Sequence, residues 1–217
     1  MYKYVLLILF VVIAVFSQCK KETKIYSISG TVTGTNSSDK INGVKVSLAA
    51  KKLSDGVYNP TFVNLKDAYT DNNGMYSMEI NEEQVSEYRF RIDKEDYFEV
   101  EEIVSVDKLQ ASESFTKNFT MMKESWIELK VKNTSPQGTD DKIVYRFKNI
   151  KVSGKDCCGN QATTGIGAEY NVTTRCKSQS DEWIQLEWVV YKNGGQILHN
   201  DSLFSEPGQT TIYSLNY

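Results

Sequence analysis

Histidine is nearly missing from this chain of 217 residues, where His199 is the only one. A single imidazole leaves little means of building a histidine-ligated metal site or a Ser-His-Asp triad. A basic excess is missing too: 25 Lys and Arg stand against 28 Asp and Glu, for a formal net charge of −3. With so little to neutralise phosphates, nucleic acid is not an expected partner. No apolar run reaches the roughly 20 residues that a membrane-crossing helix needs; the longest, Val5 to Phe16, has 12. Helical periodicity is also scarce, because from Ile25 onward apolar residues recur at every second position. The composition that remains is 40% apolar and 24% charged, enough to fill a core and unlike that of a disordered chain. The length suits one large β domain or two of about 100 residues.

The N-terminus carries an address. Lys3 supplies a positive region, the 12-residue apolar run follows, and Ser17-Gln18-Cys19 stands at the junction with the polar Lys20-Lys21-Glu22. A run of that length suits a signal-peptide core. The arrangement resembles a bacterial lipoprotein signal, with the relaxed box and charged follow-on of Bacteroidetes-type lipoproteins; Gln18 departs from the small residue most such boxes carry. The resemblance implies cleavage after residue 18, lipidation of Cys19, and a place on the outer membrane, on either its periplasmic or its surface face. Two or more acyl chains, at about 0.8 kcal/mol per buried CH₂, make a stable anchor. Residues 19–24 are then a short tether reaching roughly 20 Å at about 3.4 Å per residue, which holds the first domain close to the membrane.

Residues 25–123 read as a β-sandwich of about seven strands. Tyr26, Ile28, Gly30 and Val32 share one face of a first strand, and Val44, Val46 and Leu48 one face of a second. Tyr76, Met78 and Ile80 repeat the pattern, as do Tyr88, Phe90 and Ile92, then Phe115, Phe119 and Met121. The motif order is Gly30-Thr31-Val32, Gly43-Val44-Lys45-Val46, then Thr70-Asp71-Asn72-Asn73-Gly74-Met75-Tyr76. It resembles the carboxypeptidase-regulatory-like family, whose transthyretin-like sandwich is non-catalytic; the resemblance implies a fold and an accessory role, with no active-site residues. The Asp71–Gly74 turn has a physical reason, since Asx side chains bond their own backbone and Gly accepts φ > 0. A calcium loop is excluded by register, because aligning Gly74 with the loop glycine puts Tyr69 at the first ligand position.

Residues 124–217 read as a second, antiparallel and immunoglobulin-like sandwich. Ile127, Leu129 and Val131 define its first strand, and Ile143, Tyr145 and Phe147 lie in a run reaching Val152. The run 183–191 meets 196–204 across Asn193-Gly194-Gly195, a strong hairpin signal. The fold class expected is therefore all-β, two consecutive β-sandwiches behind a cleaved lipoprotein signal.

Among candidate functional residues, Cys157, Cys158 and Cys176 lie in a stretch rich in Gly, Thr and Asn that reads as a loop. In an exported chain they favour one disulfide from Cys176 to either of the pair, closing about 20 residues for roughly 3 kcal/mol. A vicinal bridge would be strained, and zinc would lack a fourth ligand. The acidic pairs Glu82-Glu83, Glu101-Glu102, Asp140-Asp141 and Asp181-Glu182 are sequence neighbours, which point apart on a strand and so do not face each other across a cleft. Strand parity puts Trp188 in the core and Trp126 and Trp183 on polar faces, either as a contact patch for a sugar ring or a protein or with Trp126 packed into the domain seam and Trp183 under a loop. Asp201-Ser202-Leu203 resembles the sequon at which Bacteroidetes attach O-glycans, with Ser202 the acceptor.

No catalytic residues, metal or cofactor are expected. The function expected is a lipid-anchored, non-catalytic binding or structural module of the cell envelope, held to the membrane through its N-terminal lipid and engaging an envelope protein or a glycan. An accessory subunit of an outer-membrane uptake or secretion complex, or a carboxylate-dependent hydrolase, stay open at this level.

Overall fold

A computed structural model describes residues 23–35, 37–54 and 57–217. The signal segment and Cys19 lie outside the described residues.

The first half is a sandwich of two sheets. Strands β1 (Ile25–Gly34), β4 (Met75–Asn81), β7 (Ser114–Thr116) and β8 (Phe119–Met121) form one; β2 (Lys45–Ser54), β3 (Val57–Tyr69), β5 (Val85–Asp93) and β6 (Val100–Ser105) form the other, in the order β3-β2-β5-β6. The alternation read from sequence is the alternation of burial: Ile28, Val32, Val46, Leu48, Phe90 and Ile92 are fully buried, each on the inward face of its strand. At about 25 cal/mol per Å² of apolar surface removed from water, such side chains supply most of the drive to fold. One helical turn, α1 (Val106–Leu109), follows β6 and buries Leu109. It is too short to leave a periodic trace in the sequence.

Two motif glycines have structural reasons. The last strand on β1 is interrupted at Lys117 and Asn118: β7 pairs with Ser27–Ser29, β8 with Val32–Gly34, both parallel. Between them the Lys117 carbonyl sits over Gly30, where a Cβ would lie 1.7 Å from that oxygen, and the Tyr76 hydroxyl donates to the same oxygen at 2.7 Å. Asn118 Oδ1 accepts from the Thr31 amide at 2.9 Å, replacing the missing ladder bond. Gly74 has φ +68° and its Cβ position faces the Val32 carbonyl at 2.7 Å. Beside it Asp71 Oδ1 accepts from the amides of Asn73 and Met75, so this carboxylate serves the turn. Thr70 completes the motif by donating to the Ile41 carbonyl and accepting from the Val44 amide.

The second half packs β11 (Thr163–Ile166), β10 (Lys142–Phe147), β13 (Glu182–Lys192) and β14 (Gly195–Ser205), in that order, against a sheet of β12 (Asn171–Gln179), β9 (Glu124–Lys132) and β15 (Thr210–Asn216). Its core is a separate cluster containing Ile127, Leu129, Ile143, Ile184, Leu186 and Leu215. The expected hairpin is present: Lys192 pairs with Gly195 across Asn193 and Gly194, at φ 50° and 71°, values that suit the primed turn.

Three expectations are corrected. The sandwich is not antiparallel throughout, because β15 pairs with β9 in parallel. The run expected to reach Val152 ends as β10 at Phe147, since Asn160 takes both backbone groups of Ile150 and Gln179 accepts from the Lys151 amide. The stretch around Cys176, read as a loop, is strand β12, paired with β9 over nine positions; its first five residues are exposed on both faces, so it shows no alternation.

Only Met122 and Lys123 separate β8 from β9. That junction is tied to the turn before β6: the Phe98 amide donates to the Met122 carbonyl at 2.9 Å and the Glu124 amide to the Asp96 carbonyl at 2.7 Å.

Candidate contact surface on the second sandwich

The tryptophans follow strand parity but do not meet. Trp126 lies on the outer face of β9 and Trp183 on the outer face of β13, and these strands belong to the two opposed sheets of one sandwich. A single patch made of both is therefore corrected to two separate places. Trp126 is half-buried and covered by cations: the Arg175 guanidinium is 4.4 Å from its ring centroid and Lys177 Nζ 5.4 Å, with Lys177 also paired to Glu124 at 2.7 Å. Trp183 is 61% exposed and makes an edge contact with Phe204, its cross-strand partner. Trp188, expected in the core, is only half-buried. It lies where the four-stranded sheet overhangs the three-stranded one, stacked on His199 with ring centroids 5.3 Å apart and edge-on to Tyr213.

That overhang exposes apolar side chains. Ile197 and Leu198 on β14 are each 62% exposed, and they point to opposite faces of the strand. Beyond them β14 is fastened: Thr211 Oγ1 donates to the Phe204 carbonyl at 2.9 Å and the Tyr213 hydroxyl to Asp201 Oδ2 at 2.6 Å. The Tyr213 bond and the Ser202 amide hold the Asp201 carboxyl below its ordinary range, while burial and Asp201 push the Tyr213 phenol up to about 12. Along 196–200 no described strand pairs with the outer edge of β14. Three other edge strands carry charge or proline, Pro60 and Lys66 on β3, Glu101 and Glu102 on β6, and Arg175 and Lys177 on β12, while the shorter edge strands β11 and β15 carry neither. Edge strands are ordinarily blunted in this way; β14 has neither lysine nor proline. The sequence shows the hairpin but not this edge, because parity assigns Ile197 inward and cannot show that the facing sheet stops short.

The remaining candidates are placed as follows. Cys158 is bridged to Cys176 with Cα atoms 4.9 Å apart, pinning the loop before β11 onto β12; Cys157 is free, half-buried, and its thiol is pushed up by burial. Ser202 is exposed on the outer face of β14. The acidic pair on β6 divides as parity requires, Glu101 to Arg89 and Glu102 to Lys117, and in the loop after β4 Glu82 meets the Tyr26 hydroxyl while Glu83 pairs with Lys52. Among the described residues no cluster of His, Cys, Asp and Glu could hold a metal ion.

No family model matches the chain, and no curated protein matches it. Among solved structures, it is similar to the Bacillus anthracis TIE protein at 9% identity and TM-score 0.37, covering 88% of this chain and 34% of that one. It is similar to a D295N mutant of the shaft pilin SpaA from Lactobacillus rhamnosus GG at 11% identity and TM-score 0.36, over 88% of this chain and 98% of that one. Chlorocatechol 1,2-dioxygenase from Pseudomonas putida matches at 14% identity and TM-score 0.32, over 48% and 61%. The chain spans about a third of the TIE protein's length. A pilin and a dioxygenase side by side show how little such likenesses say about function.

Proposed function

We propose that the protein is a lipid-anchored, non-catalytic module of the cell envelope whose second sandwich binds an extended segment of an envelope protein along β14. The observation that carries the contact is the unpaired 196–200 edge, with Ile197 and Leu198 exposed and no charge or proline to blunt it. An added strand gains affinity from main-chain hydrogen bonds and specificity from the alternate side chains. The anchoring part rests on the apolar run from Val5 to Phe16 with Cys19 just after it, and the accessory role on the Gly30, Thr70-Asp71 and Gly74 motifs of residues 25–123. The Trp188, His199 and Tyr213 aromatic group beside the edge favours a second reading, a glycan stacked on those rings.

A pull-down of the full-length protein from detergent-solubilised native envelope separates these readings. Leu198→Lys should release a protein partner while leaving the thermal midpoint unchanged; retention equal to wild type would overturn the strand-addition reading, and retention lost only in Trp188→Ala would favour the glycan. Metabolic labelling with a palmitate analogue should mark wild type and not Cys19→Ala. Equal labelling of both would overturn the anchor.

A further inference from the structure

At the end of the second sandwich opposite its junction with the first, one lysine, one asparagine and one aspartate form a buried polar group that the contact surface does not use. Asn133 follows β9 in one sheet, Lys192 ends β13 in the other, and Asp141 immediately precedes β10. Asp141 is 1% exposed and Asn133 6%. Lys192 Nζ donates to Asn133 Oδ1 at 2.8 Å and to the Ser135 carbonyl at 2.7 Å. Asn133 Nδ2 donates to Asp141 Oδ2 at 2.9 Å, and the same oxygen lies 3.8 Å from Lys192 Nζ. The Tyr217 ring covers the ammonium at 4.8 Å, which limits its access to water.

We infer that Lys192 and Asn133 are built to join in an amide bond across the two sheets, with Asp141 carrying the protons. The geometry assigns each part. One carboxylate oxygen faces both the amine that would attack and the amide nitrogen that would leave. Asp141 Oδ2, 3.8 Å from Lys192 Nζ, takes a proton from the ammonium, which neutralises both groups. The freed amine attacks Asn133 Cγ from its position against the carboxamide. The bond from Nζ to Cγ forms, the bond from Cγ to Nδ2 breaks, and Asp141 passes two protons in turn from Nζ to the departing nitrogen, the first taken before the attack and the second shed by Nζ after it, so that the nitrogen leaves as ammonium. Lysine ammonium and asparagine carboxamide become a secondary amide and ammonium, with no oxidant, metal or cofactor. The hydrogen bonds from Asn133 and from the Gln137 amide, with Lys192 nearby, hold the Asp141 carboxyl below its ordinary range, so it is ionised in the resting state. Closely held reactants need no second encounter, and a bond made once per molecule tolerates a slow step.

The alternative is a non-covalent polar network of the same atoms, and mass separates the two. The full chain is isolated from its native envelope, reduced, digested with trypsin and mapped by mass spectrometry. A branched peptide joining the segments of Asn133 and Lys192 is expected, lighter than their sum by about 17 Da, one ammonia, with cleavage after Lys192 lost. Lys192→Arg should abolish the branched peptide, and Asp141→Asn, which keeps the side chain's volume, should abolish or strongly reduce it while far-ultraviolet circular dichroism remains that of the wild type. Unbranched peptides with cleavage after Lys192 in the wild type would overturn the bond, and full branching in folded Asp141→Asn would overturn the proton carrier.

Discussion

At the scale of the residue, the three tryptophans sit on strands of equal parity signal yet differ in cover. Trp126 is held between Arg175 and Lys177, Trp188 lies against His199 and Tyr213 at an open edge, and Trp183 rests on Phe204 alone. Cation–aromatic contacts contribute about 0.5–2 kcal/mol each, and a fully buried aromatic truncated to alanine costs about 3–5 kcal/mol. Chemical denaturation should therefore rank the losses as Trp188→Ala about 2 to 3 kcal/mol, Trp126→Ala about 1 to 2 kcal/mol, and Trp183→Ala below about 1 kcal/mol. A loss for Trp183→Ala equal to that of Trp188→Ala would contradict the exposure assigned to it. Titration is set by single contacts as well. Arg146 and Lys148 hold the Glu187 carboxyl below its ordinary range, as Tyr213 and the Ser202 amide do for Asp201. A carboxyl lowered by folding contributes stability above its unfolded value, near 4, and loses it as pH falls through the folded value. The Tyr213 phenol, raised to about 12, contributes below its unfolded value near 10 and loses it as pH climbs toward 12. The thermal midpoint should thus stay level between about pH 5 and 9 and fall on both sides; a maximum below pH 4 would contradict these assignments.

At the scale of the element, legibility in the sequence follows burial. β1 and β4 alternate cleanly, as β5 does from Tyr88 onward, because each is covered on one face, and the β13–β14 hairpin is announced by the Asn193-Gly194 turn. β12 is hidden because an edge strand exposed on both faces has no reason to alternate, and the parallel pairing of β15 leaves no local trace since its partner β9 lies far away in sequence. The pairing of Cys176 was open for the same reason. Residues 157 and 158 are equivalent in spacing, and only the docking of that loop on β12, through the Cys158 amide to the Lys177 carbonyl, selects Cys158. Peptide mapping without reductant should find Cys158 joined to Cys176 and Cys157 free, and loss of the bridge should cost about 3 kcal/mol. A Cys157–Cys176 bridge would contradict the register. The contact surface was the least legible part, because it comes from the unequal widths of two sheets.

At the scale of the whole molecule, we propose that residues 25–123 and 124–217 are separate domains. Support comes from two clusters of buried apolar residues, one ending at Met121 and the other beginning at Ile127. The two-residue junction is hydrogen-bonded to the turn at 96–98, so it is a stiff joint with little free chain for a protease. Brief proteolysis should cut slowly near Lys123 and leave two fragments of about 100 residues; rapid loss of both together would mean that the halves unfold as one unit. In the proposed arrangement the short tether keeps the first sandwich near the membrane, and the second offers β14 to its partner. The most direct test places a photo-crosslinking amino acid at position 198 in intact cells, with position 130, on the outer face of the opposite sheet, as the control. A discrete protein adduct is expected from position 198, lost when Ile197 is also changed to lysine, and none from position 130. No adduct from position 198, or equal adducts from both positions, would contradict the proposed contact along β14.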